Sequence, residues 1–194
     1  NPILNLVATD VYLAEHCHVS TILTLVDCVN GASTLRNYEE ARIQIALADR
    51  IIVTKCDLSS HDAVALALRE YNTFADVVFV RGDEATDIEA LFSASTPSSR
   101  LSQTPAHSHT GGLHVFDLSM TTPVAGAALV LFIEFLATHL GERLLRVKGL
   151  VHLREAQDGP AVLQGAQHVF HPLDVLPEWP PATPKETRLV FITK

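Results

Sequence analysis

The sequence is short of positive charge. Lysine and arginine together number 14 against 22 acidic residues, for a formal net charge of -8. It has no block of five or more basic residues. A surface that tracks nucleic-acid phosphates needs such a block, so no nucleic-acid partner is expected. Long hydrophobic runs are missing too. The longest apolar stretch, residues 124–140, contains Glu134 and His139 and is too short to span a bilayer, so no membrane partner is expected. Cysteine is sparse. Cys17, Cys28 and Cys56 are spaced too irregularly for a Cys-x-x-Cys site, and an odd count suits a reducing compartment better than a disulfide scaffold. The amino terminus has no positively charged leader, hence no visible secretory signal. It also lacks Met, so the chain reads as a fragment or a processed product. Together these absences point to a cytoplasmic protein with reduced thiols.

What is present is ordinary globular composition. The 194 residues are 47% hydrophobic and 19% charged, enough for one large domain or two small ones. Residues 1–92 alternate between two periodicities. Residues 21–26 read as a strand ending at Asp27. Tyr38, Ala41, Ile45 and Ala48 recur at helical spacing within 35–48. Residues 50–53 form a second strand. Ser59 or Ser60 then caps a helix with Val64, Ala67, Leu68 and Tyr71 on one face. Residues 77–80 make a third strand and 87–92 a short helix. Apolar strands alternating with amphipathic helices imply a parallel sheet covered on both faces.

Residues 93–112 change character to Ser, Thr, Pro, Gly and His, and read as a flexible linker. Residues 113–194 form a second unit. A strand over 113–118 precedes a helix whose first residue is expected to be Pro123. Leu129, Phe132, Ile133, Leu136 and Leu140 form its apolar stripe, and Gly141 ends it. Residues 144–153 alternate, with Arg146, Lys148 and His152 on one face. That face is either a basic patch for a partner or the solvated side of a half-buried sheet, with the solvated side favoured. Asp158-Gly159 marks a turn, 161–170 continues in β style, a Pro-rich loop surrounds Trp179, and 188–192 is a closing strand. The expected fold class is α/β: a partial parallel sheet with helices, followed by a small α+β domain with one helix on a β-sheet.

The stretch Thr54-Lys55-Cys56-Asp57 carries the chemistry. In open parallel sheets, ligands bind beyond the carboxyl ends of the strands, where this tetrapeptide falls. Guanine presents N1-H and an exocyclic amine side by side. One ionised carboxylate accepts both hydrogens, and adenine offers no such pair, so Asp57 has the right chemistry. The apolar stem of Lys55 can lie along the base plane with its ammonium toward ribose or phosphate. Asn/Thr-Lys-x-Asp is the base-specificity signature of GTPases, with Thr54 here in first position. On four residues alone, a solvated strand end explains the sequence equally well. The preceding apolar strand and following capped helix favour the guanine reading. Arg81-Gly82-Asp83 follows the next strand and could offer backbone N-H groups to guanine O6, although Gly-Asp is commonly only a turn. Asp27 could assist the same site or simply end its strand.

"LTLVDCVN", "QIALADRIIVTKCDL" and "VRGDEATDIEALF" resemble the second half of the GTPase domain of the CobW family. "LLRVKGLVHL", "QGAQHVFHPLDVLPEW" and "RLVFIT" resemble that family's C-terminal domain in order and spacing. These are P-loop GTPases tied to cobalamin synthesis and to delivery of zinc or other metals. The resemblance implies a P-loop-type parallel sheet, nucleotide-binding residues Thr54, Lys55 and Asp57, GTP/GDP and Mg2+ as cofactors of the complete protein, and a client metalloprotein or metal-inserting enzyme as partner. The family's phosphate chemistry uses a GxxxxGK[ST] P-loop, switch segments, a Walker B region and a Cys-x-Cys-Cys motif, and none occurs in these residues. Of the four lysines, Lys55, Lys148, Lys185 and Lys194, only Lys148 adjoins a glycine, and on the wrong side. No catalytic residue, and no bound cofactor, is therefore expected for this chain. The missing flanking strands are expected to favour self-association.

His107, His109 and His114 lie in or beside the linker, where the family often carries a His-rich insertion suited to weak capture of Zn2+ or another divalent metal. A plain solvated linker is the favoured alternative. His16, Cys17 and His18 are adjacent in sequence and do not share a face, so a structural role is expected. The competing functional class is a non-enzymatic protein-interaction module.

Overall fold

The computed structural model describes residues 3, 6–7, 10–17, 19–82, 88–92, 108–110, 112–167, 169–181 and 183–194. Its contacts divide the chain into two compact units, Ser20–Thr96 and a second formed by Asn1–Val19 with Pro97–Lys194.

The unit Ser20–Thr96 is the expected parallel α/β layer. Its three strands, β1 (Leu23–Asp27), β2 (Arg50–Thr54) and β3 (Asp76–Phe79), stand in the order β1-β2-β3 and pair in parallel throughout. Central strand β2 buries Ile51, Ile52 and Val53, as a strand covered on both faces must. Helix α4 (Asp62–Tyr71) buries Val64, Leu68 and Tyr71 from its predicted stripe. Its start differs from expectation. Position 61 is the N-cap without a side-chain cap, and Ser60 Oγ instead accepts from the Asp62 N–H at 3.3 Å and donates to its carboxylate at 2.7 Å. The single helix expected over 35–48 is two, α2 (Gly31–Asn37) and α3 (Glu39–Leu47), broken where Tyr38 is extended. The break puts Glu39 and Glu40 in the first turn of α3, where their charges favour the helix dipole. A short helix, α5 (Ile88–Phe92), closes the described part of this unit. Among the described residues β1 is an edge strand. Leu25 at its centre is exposed, and a cavity of about 170 Å3 lies beside it, lined by Leu25, Thr34, Leu35 and Ile45 among others.

In the other unit, Asp10 caps the short helix α1 (Val11–His16) by accepting the Leu13 N–H at 3.0 Å. Tyr12 and His16 stack on that helix, and the neighbouring Cys17 is exposed. An antiparallel sheet runs β4 (Ser108–Thr110), β5 (Leu113–Met120), β10 (Thr187–Thr193), β6 (Leu144–Val151), β7 (Ala161–Ala166), β8 (Val169–Phe170), with β9 (Asp174–Val175) also on β7. One helix, α6 (Gly126–His139), packs Leu129 and Leu136 on Val147, Val151, Leu163, Leu189 and Phe191. Phe132, Ile133 and Leu140 complete the stripe read from the sequence. The helix begins three residues after Pro123, later than expected. Val124 is held extended because its N–H donates to His152 O and its C=O accepts from Arg154 N, both at 2.8 Å. Gly141, with φ +48, follows the helix and opens a 3-10 turn, Gly141–Arg143.

Strand β6 corrects the solvated-face reading. All eight of its residues are buried, Arg146 and Lys148 included. Gly149 is required by close approach: a Cβ there would lie 2.0 Å from the Arg188 carbonyl oxygen of β10. His152 is half-buried and meets Trp179 edge-on at 5.4 Å, which anchors the Pro-rich loop.

Candidate functional site

The Thr54–Asp57 stretch leaves β2 at the carboxyl end of the parallel sheet. The Thr54 hydroxyl donates to Val26 O at 3.3 Å and ties the strand end to β1. The next residue turns sharply: Lys55 has φ +61, in the left-handed region that costs a non-glycine residue about 1–2 kcal/mol. That turn sends the Lys55 side chain back across the sheet end, where Nζ donates to Asp27 Oδ2 at 2.6 Å. Asp27 is itself fixed. Its Oδ1 accepts the backbone N–H groups of Val29 at 2.7 Å and Asn30 at 3.1 Å, an Asx turn that leaves Oδ2 for the lysine. The Lys55 hydrogen bond, helped by the Asn30 amide, holds the Asp27 carboxyl below its ordinary pKa of 3.8. Asp27, left undecided by the sequence, is thus the residue that orients Lys55.

Beyond it, Cys56 N–H donates to Val80 O at 3.1 Å, which turns the chain toward β3. Asp57 is exposed, and its Oδ1 accepts the Gly82 N–H at 3.0 Å. The Arg81-Gly82 turn was expected to offer N–H groups to a base oxygen; its Gly82 amide instead orients the aspartate. Asp83 lies outside the described residues. Among the described residues the carboxylate is thus aimed from a fixed loop with Oδ2 and the remaining lone pair of Oδ1 open, an acceptor edge suited to two adjacent N–H donors. Thr54, Lys55 and Asp57 stand together at the end of β2, with Thr54 bracing the strands.

The histidine candidates divide. His107 lies outside the described residues. The backbone register sets His109 of β4 opposite His114 of β5, and His114 is exposed. No cluster of three or more metal-ligating side chains occurs among the described residues. No helix described is long and apolar enough to cross a membrane.

Sequence reading missed one feature. Cys28 follows β1 and Cys56 follows β2, 28 residues apart, yet both are buried and the Cys28 thiol reaches into the turn that holds Cys56, donating to Ser59 O at 3.5 Å. Parallel pairing brings them together, and no linear spacing could have signalled it.

An α/β sheet with a carboxylate and a lysine presented at its carboxyl edge places them where ligands bind in open parallel sheets. Residues 1–78 match the family model for the CobW/HypB/UreG nucleotide-binding domain, and residues 114–194 match that for the cobalamin synthesis protein cobW C-terminal domain. The chain belongs to the CobW family. Among solved structures it is similar to the Zn(II)-bound YjiA GTPase from E. coli, at 23% identity and TM-score 0.71, and to a Zn(II)-bound triple mutant of YjiA GTPase, at 22% identity and TM-score 0.71. Each likeness covers 99% of this chain and 62% of the other, so this chain spans under two thirds of the length of those proteins. At that identity the likeness establishes the fold. No curated protein matches the chain.

Proposed function

We propose that the protein is a GTP-dependent metallochaperone or metal-insertion GTPase of the cytoplasm, acting in cobalamin synthesis or zinc homeostasis, and that this chain carries its guanine-recognition loop and C-terminal domain. The observation that carries the reading is the Asp57 carboxylate, held by Gly82 N–H at the sheet's carboxyl edge beside a lysine oriented by Asp27. GTP or GDP with Mg2+ is the nucleotide of the complete protein. Zn2+ or another divalent metal is the cargo, and a client metalloprotein or metal-inserting enzyme receives it. His107, His109 and His114 are the weak metal ligands of this reading. The open edge of β1, with Leu25 exposed, supports self-association.

Magnitudes limit what these residues do alone. Two charge-assisted hydrogen bonds from Asp57 contribute about 1.5–3 kcal/mol each. Association costs about 4–15 kcal/mol. Without a phosphate cradle little net affinity remains, so the 194-residue chain neither binds GTP measurably nor hydrolyses it. The test is calorimetric titration of GTP and ATP into the protein at its natural length and into this chain. Binding of GTP but not ATP by the former, and no heat with the latter, is expected. Equal affinity for both nucleotides contradicts base selection, and micromolar GTP binding by the chain contradicts its dependence on phosphate anchoring.

The second reading is a protein-interaction module. It is favoured by the exposed Val130, Leu131 and Phe135 on α6, and by an apolar groove of about 370 Å3 lined by Leu118, Met120, Phe132 and Leu189 among others.

A further inference from the structure

Base recognition uses the side chain of neither Cys28 nor Cys56, yet both sit directly at the guanine site. Asp27 pairs with Thr54 across β1 and β2, and the Cys28 N–H continues that pairing to Thr54 O at 2.9 Å. The Cys28 thiol reaches into the turn that holds Cys56, donating to Ser59 O at 3.5 Å. The Cys56 thiol folds back on Val53 O at 3.3 Å, so both thiols lie within the one turn that follows β2. Both residues are buried at 5% and 8% exposure, whereas Lys55, Asp57 and Leu58 around Cys56 are exposed. Cys56 is also the third residue of the guanine-recognition tetrapeptide.

We infer that Cys28 and Cys56 form a reversible disulfide that locks the guanine-recognition loop, taking its oxidising equivalents from a small-molecule disulfide. The Cys56 thiolate, reached when the exposed loop opens, attacks one sulfur of the oxidant and expels the other as a thiolate. Cys28, whose proton is held on by burial and by the neighbouring Cys56 thiol, loses that proton to solvent and attacks the mixed disulfide. This expels the second small thiol. In total, two protein thiols lose two electrons and two protons, and one oxidant disulfide becomes two thiols. The sulfurs must close to about 2.05 Å. That draws Cys56 inward and drags the flanking Lys55 and Asp57 off their partners Asp27 and Gly82. The consequence for nucleotide rests on the guanine reading; the disulfide itself does not.

The test uses the protein at its natural length, equilibrated with oxidised and reduced glutathione at a series of ratios, alkylated with iodoacetamide and mapped by mass spectrometry. The expected product is a peptide joined through Cys28 and Cys56, reversed by dithiothreitol and absent from Cys28→Ser and from Cys56→Ala. Glutathione adducts without that link, or linkage only through Cys17, overturn the pairing. In parallel a fluorescent GDP analogue is titrated into reduced and oxidised protein. Oxidation is expected to weaken binding at least about tenfold, the equivalent of one charge-assisted hydrogen bond, and to leave either cysteine variant unaffected. Equal affinity in both states overturns the lock. If reduced protein binds no guanine nucleotide, the guanine reading fails, and the linked peptide still decides the pairing.

Discussion

Asn72 braces the entries to the two strands that flank the Thr54–Asp57 loop. It follows α4, is 4% exposed, and bridges three segments. Its Nδ2 donates to Ile45 O at 2.7 Å and Ala48 O at 2.9 Å, fixing the end of α3 and the entry to β2. Its Oδ1 accepts Phe74 N at 2.9 Å and Ala75 N at 3.0 Å, fixing the entry to β3. Asn72→Ala deletes four short hydrogen bonds at about 1 kcal/mol net each, so a loss of about 3–4 kcal/mol is expected. Against a typical domain stability of about 5–15 kcal/mol that is a large share. Hydrogen exchange of the β2 amides reads it directly, as a fall in their opening free energy. Asn72→Asp sharpens the test. It keeps the two acceptor bonds but points a carboxylate at two carbonyl oxygens. The folded state therefore favours its protonated form, raising its pKa. The variant should match or exceed the alanine variant's loss at pH 7, and recover as pH falls through that raised value. A loss under about 1 kcal/mol for alanine, or an aspartate variant without pH dependence, would refute the reasoning.

Two further predictions rest on particular contacts. Gly149→Ala sets a methyl 2.0 Å from the Arg188 backbone oxygen, so β10 must shift. A loss at or above the upper end of about 1–3 kcal/mol is expected by thermal unfolding, and an unchanged midpoint would contradict it. Asp27 is held below pKa 3.8 by Lys55. Its contribution is thus fully present above the unfolded value and lost as pH falls through the lower folded one. A carboxyl titration by NMR should place Asp27 below 3.8 in the wild type and nearer the ordinary value in Lys55→Met; an unshifted wild-type value would remove Asp27 as the lysine's anchor.

Much of this was legible because period and placement agree. The apolar run 51–53 is buried within β2, the 64/68/71 spacing became the buried face of α4, and the α6 stripe became the core of the second unit. The failures have tertiary causes. Arg146 and Lys148 alternate as solvated residues do, but β6 is covered on both sides. Pro123 is permitted at a helix start, but pairing between Val124 and Leu153 keeps the chain extended. Tyr38 carries no breaker signature, and the helix splits there where two glutamates start the next turn. In the candidate site, the Thr54-Lys55-x-Asp57 tetrapeptide stands out in the sequence because its residues are contiguous. Asp27 as the lysine's anchor, Gly82 as the aspartate's, and the reach of Cys28 into the turn that holds Cys56 arise from strand neighbours, which linear spacing does not encode.

The central claim is that Asp57 reads guanine, and base exchange tests it most directly. Asp57→Asn keeps a side-chain oxygen for the Gly82 amide, so it preserves the loop while replacing one acceptor with a donor. Xanthine carries an oxygen where guanine carries its exocyclic amine. In the protein at natural length, Asp57→Asn should bind GTP about 10- to 100-fold more weakly and bind xanthosine triphosphate more tightly than the wild type does. Unchanged GTP affinity in the variant would mean that Asp57 does not touch the base.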